Sequence, residues 1–203
     1  MNIVKESTKS KKIPLKALVL AGGKSERMGE DKSILKYHDV SQQVYAANLL
    51  SALGIETYIS KDSSFTDDEI DGHKVIADRY MEIGPLAGIL TAMEYDPNSA
   101  WLIIACDMPF ITEEFLKQLI EGRNLDKFAT AFKVKENKFA EPLIAIYEPR
   151  AYEGLNQLLV SGLTSPRKLI NNIDIEIIEL IDKSLVFNAN SKAERDFVMQ
   201  NLA

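Results

Sequence analysis

Short apolar runs alternate along this chain with longer stretches in which apolar residues recur every three or four positions. The first pattern predicts strands and the second amphipathic helices. "LKALVL" (15–20) reads as a buried first strand, "ETYIS" (56–60) as a second, "KVIA" (74–77) as a short third and "WLIIAC" (101–106) as the most hydrophobic of all. "FATAFKV" (128–134) and "FAEPLIAIY" (139–147) are strand-like, and "IDIEIIEL" (173–180) alternates as a strand does. Between them, "SQQVYAANLLSAL" (41–53) puts Val44, Ala47, Leu50 and Leu53 at helical spacing, with Ser41 as the cap and Gly54 as the stop. "GPLAGILTAMEY" (84–95), "TEEFLKQLIEG" (112–122), "PRAYEGLNQLLVSG" (149–162, beginning at Pro149) and "LTSPRKLI" (163–170) also predict helices. Strands followed by helices, one after another, describe βα units around a mainly parallel sheet. The expected fold is a single three-layer, Rossmann-like α/β domain over 15–203, preceded by a flexible tail over 1–14. No repeat, low-complexity block or linker divides it.

Composition narrows the function more than the fold. With 203 residues, of which 46% are hydrophobic and 27% charged, the chain can bury one substantial core. A net charge of −6 disfavours a nucleic-acid partner, because phosphate backbones need clustered lysines and arginines. No stretch approaches the roughly 18 apolar residues of a membrane span. The single cysteine, Cys106, cannot form an internal disulfide, so a reducing, cytoplasmic setting is expected.

In an open parallel sheet, ligands gather beyond the carboxyl ends of the strands. Three polar endings stand there: "AGGKSERMGEDK" after the first strand, "DRY" after Ala77 and "CDMP" after the hydrophobic strand. Ala21, Gly22 and Gly23 let main-chain N–H groups approach an anion or a base edge. Lys24, Arg27 and Lys32 add charge for phosphate oxygens, Arg27 as a planar fork and Lys32 as a point charge. A triphosphate satisfies this loop, although neither the dinucleotide fingerprint nor the Walker pattern can be laid on it. Asp107, at the end of an apolar strand, is placed to hold Mg²⁺, which favours one or two carboxylates with phosphate oxygens. Attack by a phosphate on a nucleotide's α-phosphorus brings anions together, so Lys32, helped by Arg27, would stabilise the pyrophosphate leaving group. The attacking phosphate is already an anion, and no general base is expected.

"LAGGKSERMGEDK" (20–32), "GPLAGI" (84–89), "ACDMPF" (105–110) and "EPLIAIY" (141–147) resemble, in order and spacing, the molybdenum cofactor guanylyltransferases, over about residues 15–147. These belong to the nucleotidyltransferases of the nucleotide-diphospho-sugar transferase type. The resemblance implies transfer of GMP from Mg-GTP to the terminal phosphate of Mo-molybdopterin with release of pyrophosphate. It implies a nucleotide site of Leu20, Ala21, Gly22, Gly23, Lys32, Ser60, Asp78, Gly84, Pro85, Leu86 and Asp107, with Arg27, Lys32 and Asp107 catalytic and Asp107 on the metal. The nucleotide part would span about 15–110 and the acceptor part about 111–203. Ser60 stands where the family can place an asparagine, keeping a hydrogen-bonding group with shorter reach. Asp78 reads either as a nucleotide contact or as a loop aspartate paired with Arg79. "GPLAG" reads either as an anion-facing helix start or as ordinary close packing.

The Leu-Ala-Gly-Gly opening implies guanine over cytosine, since the second glycine makes room beside a purine. Sugar-phosphate nucleotidyltransferases share that opening but typically continue Gly-Thr-Arg-Leu. An enzyme using CTP or a sugar phosphate, and an inactive nucleotide-binding module, remain the alternatives. Past Tyr147 the resemblance weakens. Arg167 and Lys168 could meet the acceptor phosphate or form a solvated basic face. Asn188 and Asn190 keep the amides of a family ending whose turn is altered here at 191–193. Transient contact with molybdoenzymes or cofactor-delivery proteins is a further implication. His38 and His73 read as surface or loop histidines, Cys106 as a buried strand-end thiol, and Trp101 and Phe110 as core.

Overall fold

The computed structural model describes residues 13–22, 32–189 and 191–202, and of Lys32 the main chain only. Gly23, Lys24, Arg27 and Asn190 lie outside the described residues, as do the Lys32 side chain and most of the expected N-terminal tail. The described chain forms an eight-stranded sheet in the order β3-β4-β2-β1-β5-β7-β6-β8. Its strands are β1 Leu15–Leu20, β2 Glu56–Lys61, β3 Glu69–Ile70, β4 His73–Ala77, β5 Ala100–Ala105, β6 Ala129–Val134, β7 Ile144–Tyr147 and β8 Ile175–Leu180. The helices are α1 Gln42–Ala52, α2 Leu86–Tyr95, α3 Glu113–Glu121, α4 Ala151–Val160, α5 Pro166–Ile170 and α6 Lys192–Asn201.

β4, β2, β1 and β5 run parallel, as do β6 and β8, while β7 is antiparallel to both its neighbours and β3 to β4. The reversal at β7 matters for the site. Ile104 pairs with Ile144, so the residues before β7 lie at the same edge as the end of β5.

Alternation along the central strands feeds two cores. Ala17, Val19 and Ile104 face a core shared with α1 and α3, and Leu18, Leu20 and Ile103 face another shared with α2, α4 and α5. β5 is buried at every position, which is why its sequence reads as an unbroken apolar run. Arg123 and the fully buried Glu148 pair bidentately at 2.6 and 2.9 Å beside the far end of β7, satisfying a carboxylate that would be costly alone. Among the described residues no helix is long and apolar enough to cross a membrane.

Some expectations need correction. α4 begins at Ala151, not Pro149, because Pro149 and Arg150 form a turn in which Ala151 N–H donates to Glu148 O at 2.8 Å. α5 is only five residues long, and it starts at Pro166, whose fixed φ suits the first turn. Ser41 occupies the cap position of α1, yet its hydroxyl makes no capping bond. His73 is not on a surface or loop: it is buried in β4, 2.9 Å from Asn48 Oδ1. His38 is half-buried and stacks on Tyr45 with ring centroids 3.5 Å apart. The helix α6 is not among the expected helices, although Ser191 is its N-cap: Ser191 Oγ accepts from Glu194 N–H and donates to Glu194 Oε2.

Candidate nucleotide site

Four strand ends, those of β1, β2, β4 and β5, are stitched together at the carboxyl edge of the sheet. Ala21 N–H, one step past β1, donates to Ser60 O at 3.1 Å, and Asp78 N–H, one step past β4, donates to Lys61 O at 2.8 Å. On the other side, Cys106 N–H donates to Leu20 O at 3.1 Å, so Asp107 follows directly from a residue bonded to the end of β1. The ladder has thus been extended by one bond at each neighbour. Leu20, Ala21, Ser60, Asp78 and Asp107 are brought to one edge by these main-chain bonds alone.

The side chains interlock on the β2–β4 side. Ser60 Oγ donates to Asp78 Oδ1 at 2.6 Å. Burial pushes the Asp78 carboxyl up to about 6, with the Asp62 charge adding to the rise and the Ser60 hydrogen bond opposing it. Asp78 does not pair with Arg79, whose guanidinium lies 3.3 Å from Glu94. Gly22 and Gly88 frame this pair for steric reasons. A Cβ on Gly22 would stand 3.0 Å from Asp62 N, 3.2 Å from Lys61 C and 3.5 Å from Asp78 Oδ2. A Cβ on Gly88 would stand 2.5 Å from Leu20 Cδ2, 2.7 Å from Ser60 Oγ and 3.3 Å from Asp78 Oδ1. The missing side chains let β1 and α2 close on the Ser60–Asp78 pair. Ahead of Leu86, Gly84 takes φ +60°, a left-handed turn that glycine makes without strain, and its O accepts from Ala87 N–H at 2.9 Å.

The segment after Asp107 is fastened from outside. Asp107 O accepts from Ala189 N–H at 2.9 Å, Met108 O from Gln42 Nε2 at 3.2 Å and Ile111 O from Tyr45 Oη at 3.4 Å. These bonds bring Asn188, half-buried, next to the Asp107 segment. Beneath it Phe110, Phe187 and Phe197 cluster with centroids 5.6 to 6.3 Å apart. Asp107 offers hard carboxylate oxygens, and no group of three or more acidic, histidine or cysteine ligands occurs among the described residues. One carboxylate suits a magnesium ion that takes its remaining ligands from phosphates and water, so the donor set fits a metal carried with a nucleotide.

Across the edge, Glu141 lies just before β7 and is buried, while Arg167 is the second residue of α5. Arg167 Nη2 is 3.3 Å from Glu141 Oε2, and Asn137 Nδ2 donates to Glu141 Oε1 at 3.4 Å. Lys168, the next residue, is exposed and has no ion pair among the described residues. The structure therefore gives Arg167 an anchored place at the edge and gives Lys168 none.

Two side chains at the site were not singled out by sequence. Lys61 ends β2 and is buried, with Nζ 3.2 Å from Ala21 O and 2.9 Å from Ser33 Oγ. It lines a cavity of about 280 Å³ with Gln43, Asp62 and Phe65. A lysine closing an apolar strand at the ligand edge was the signal for it. Glu141 sat inside a recognised motif, but nothing in the sequence tied it to Arg167.

Residues 17–176 match the MobA-like NTP transferase domain. The chain is 32% identical over 179 residues to the molybdenum cofactor biosynthesis bifunctional protein of Synechocystis sp., a match covering 88% of this chain and 52% of that one. It thus spans about half the length of that relative. It is 30% identical over 165 residues to a probable molybdenum cofactor guanylyltransferase of Clostridium perfringens, with 80% of each chain covered. The crystal structure of molybdopterin-guanine dinucleotide biosynthesis protein A from Archaeoglobus fulgidus superposes with a TM-score of 0.71 at 21% identity, covering 92% of this chain and 98% of that one, and shares the fold. With a family domain over most of its length, the chain belongs to the MobA-like NTP transferase family and is a nucleotidyltransferase.

Proposed function

We propose that the enzyme transfers GMP from Mg-GTP to the terminal phosphate of Mo-molybdopterin, releasing pyrophosphate and forming the guanine dinucleotide cofactor. The observation that carries this reading is the joining of Leu20, Ser60, Asp78 and Asp107 through main-chain bonds at one sheet edge. The choice of guanine and of a molybdenum cofactor acceptor is supported by the likeness to the probable molybdenum cofactor guanylyltransferase of Clostridium perfringens. A phosphate oxygen of the acceptor attacks the α-phosphorus, the bond to the bridging oxygen breaks, and its electron pair leaves with pyrophosphate. Asp107 would hold magnesium, which would neutralise phosphate charge. Lys32 and Arg27 stabilise the leaving group, and Gly23 shares main-chain contact to the phosphates with Ala21 and Gly22.

Asp78 reads the base. Above its pKa of about 6 it is ionised and only accepts hydrogen bonds. The guanine edge presents N1–H and the 2-amino group side by side, a pair of donors suited to one carboxylate, and Ser60 fixes the orientation of that carboxylate. Gly84, Pro85 and Leu86 shape the wall at the start of α2. Arg167, with Lys168, Asn188 and Asn190, receives the acceptor. In this reading the reaction is cytoplasmic, residues from about 111 onward serve the acceptor, and the product passes to molybdoenzymes or delivery proteins. Incubation with Mo-molybdopterin, Mg²⁺ and GTP, CTP or ATP in turn, followed by mass analysis, tests the reading. A guanine dinucleotide product is expected. A cytosine product would replace the base assignment, and no product with any triphosphate would refute it.

A further inference from the structure

Residues 79–85 leave β4 just after Asp78 and turn back into α2. The turn includes Glu82 at φ +60°, in the left-handed region that a side chain occupies only at a cost. Such a segment keeps its shape only where neighbours hold it. Here α2 does so through Thr91 and Glu94, three residues apart on the helical face that also carries Gly88 beneath the Ser60–Asp78 pair. The buried Thr91 accepts, at Oγ1, from Arg79 N–H at 3.0 Å. Glu94 Oε1 accepts from Tyr80 Oη, and from Tyr152 Oη on α4 at 2.7 Å. Both phenol rings pack against the core that α2 shares with α4. The Arg79 guanidinium, 3.3 Å from Glu94 Oε2, is 61% exposed and adds little. Burial disfavours the charge on Glu94, but the hydrogen bonds from Tyr80, Tyr152 and Arg79 outweigh it and hold the carboxyl below the ordinary glutamate range. Glu94 is therefore a carboxylate that only accepts.

We propose that Glu94 is a positioning residue for base recognition: by taking the Tyr80 hydroxyl, with Tyr152 steadying it from α4, it holds the chain leaving Asp78 against α2 and fixes where the Asp78 carboxylate meets a purine edge. The inference rests on the reading of Asp78 as the base contact. The main chain is tied on both sides of the Asp78 side chain, its own N–H to Lys61 O of β2 and the next N–H to Thr91. Tyr80 then carries the anchor one residue further, through a rigid ring whose hydroxyl is bonded to a charged acceptor, the stronger kind of hydrogen bond.

Glu94→Leu removes the acceptor of both phenols. In the ligand-free protein it should speed exchange of the bonded Asp78 and Arg79 amides roughly tenfold. Guanine offers N1–H and a 2-amino group, whereas the hypoxanthine of inosine triphosphate offers N1–H alone, so the preference for Mg-GTP over Mg-ITP reports how the Asp78 carboxylate is aimed. That preference should fall roughly fivefold, while affinity for Mg-tripolyphosphate, which has no base, stays within about twofold of wild type. A role confined to stability would lower Tm and leave the preference alone. Glu94→Gln keeps an oxygen that accepts from both phenols and should restore most of the preference. Tyr80→Phe should reproduce the loss, which decides the matter if Glu94→Leu does not fold. Unchanged amide exchange, an unchanged preference, or equal weakening of tripolyphosphate would overturn the anchor. A wild-type enzyme that binds GTP and ITP equally would instead refute the reading of Asp78, with exchange at Asp78 and Arg79 in Glu94→Leu still deciding whether Glu94 holds that segment.

Discussion

The two sides of the ligand edge are built differently. Around β1, β2 and β4, polar groups are packed against one another: Ser60 on Asp78, Lys61 on Ala21 and Ser33, with Gly22 and Gly88 stripped of side chain so that backbone and helix can close. Around β7 and α5, Arg167 has a side chain 55% exposed, held by one buried carboxylate, and Lys168 stands in solvent. A side whose groups are fixed before the ligand arrives discriminates shape and hydrogen-bond pattern, because no ordering remains to be done on binding. A side of exposed cations attracts phosphate with less demand on geometry. Under the proposed function, the β1–β2–β4 side would thus select the nucleotide and the β7–α5 side would draw the acceptor by charge.

The largest effect that sharpens this contrast is Asp107→Asn, which removes the carboxylate charge without changing shape. Turnover should fall by roughly a hundredfold or more, with thermal stability close to wild type, as single-turnover rates and a melting curve would report. Gly88→Ala comes next. The added methyl group meets Ser60 Oγ and Leu20 within 2.7 Å and should force the hydroxyl off Asp78. Mg-GTP affinity should drop by roughly tenfold, measured by calorimetry, with the acceptor KM unmoved. Arg167→Ala should raise the acceptor KM only a few-fold and leave the GTP KM alone, as exposed pairs contribute modestly. If it changed the GTP KM instead, the division between the two sides would fail.

The smallest effect is in pH. Asp78 has a folded pKa of about 6, above its ordinary 3.8, so it contributes stability below pH 3.8 that is lost as pH rises through 6. Nucleotide binding has the opposite sign, since the accepting carboxylate forms over the same window. Tm measured from pH 4 to 7 should fall slightly more for wild type than for Asp78→Asn, while the GTP KM of wild type improves.

The same contrast governs what could be read in the sequence. The ends of β1 and β5 are legible because a fully buried strand must be an apolar run, and its abrupt arrest at Ala-Gly or Cys-Asp marks the edge. Asp78 was legible as a candidate, but its partner was not: Arg79 adjoins it in sequence, whereas Ser60 meets it only after β2 and β4 pair. Lys61 and the Glu141–Arg167 pair depend in the same way on contacts between distant segments. His73 reads as solvent-bound because its partner, Asn48, lies on α1, far from it in sequence. Short α5 and unforeseen α6 show the limit of periodicity where few apolar positions are available. Of the α6 side chains only Val198 is buried, and the Ser191 cap is the better signal.

A structure of the protein with Mg-GTP tests the central claim most directly. The account predicts phosphates lying between Gly22 and Asp107, the metal on Asp107, and the guanine edge on the Asp78 carboxylate beside Ser60. Phosphates bound away from the end of β1, or a base that leaves Asp78 untouched, would contradict it.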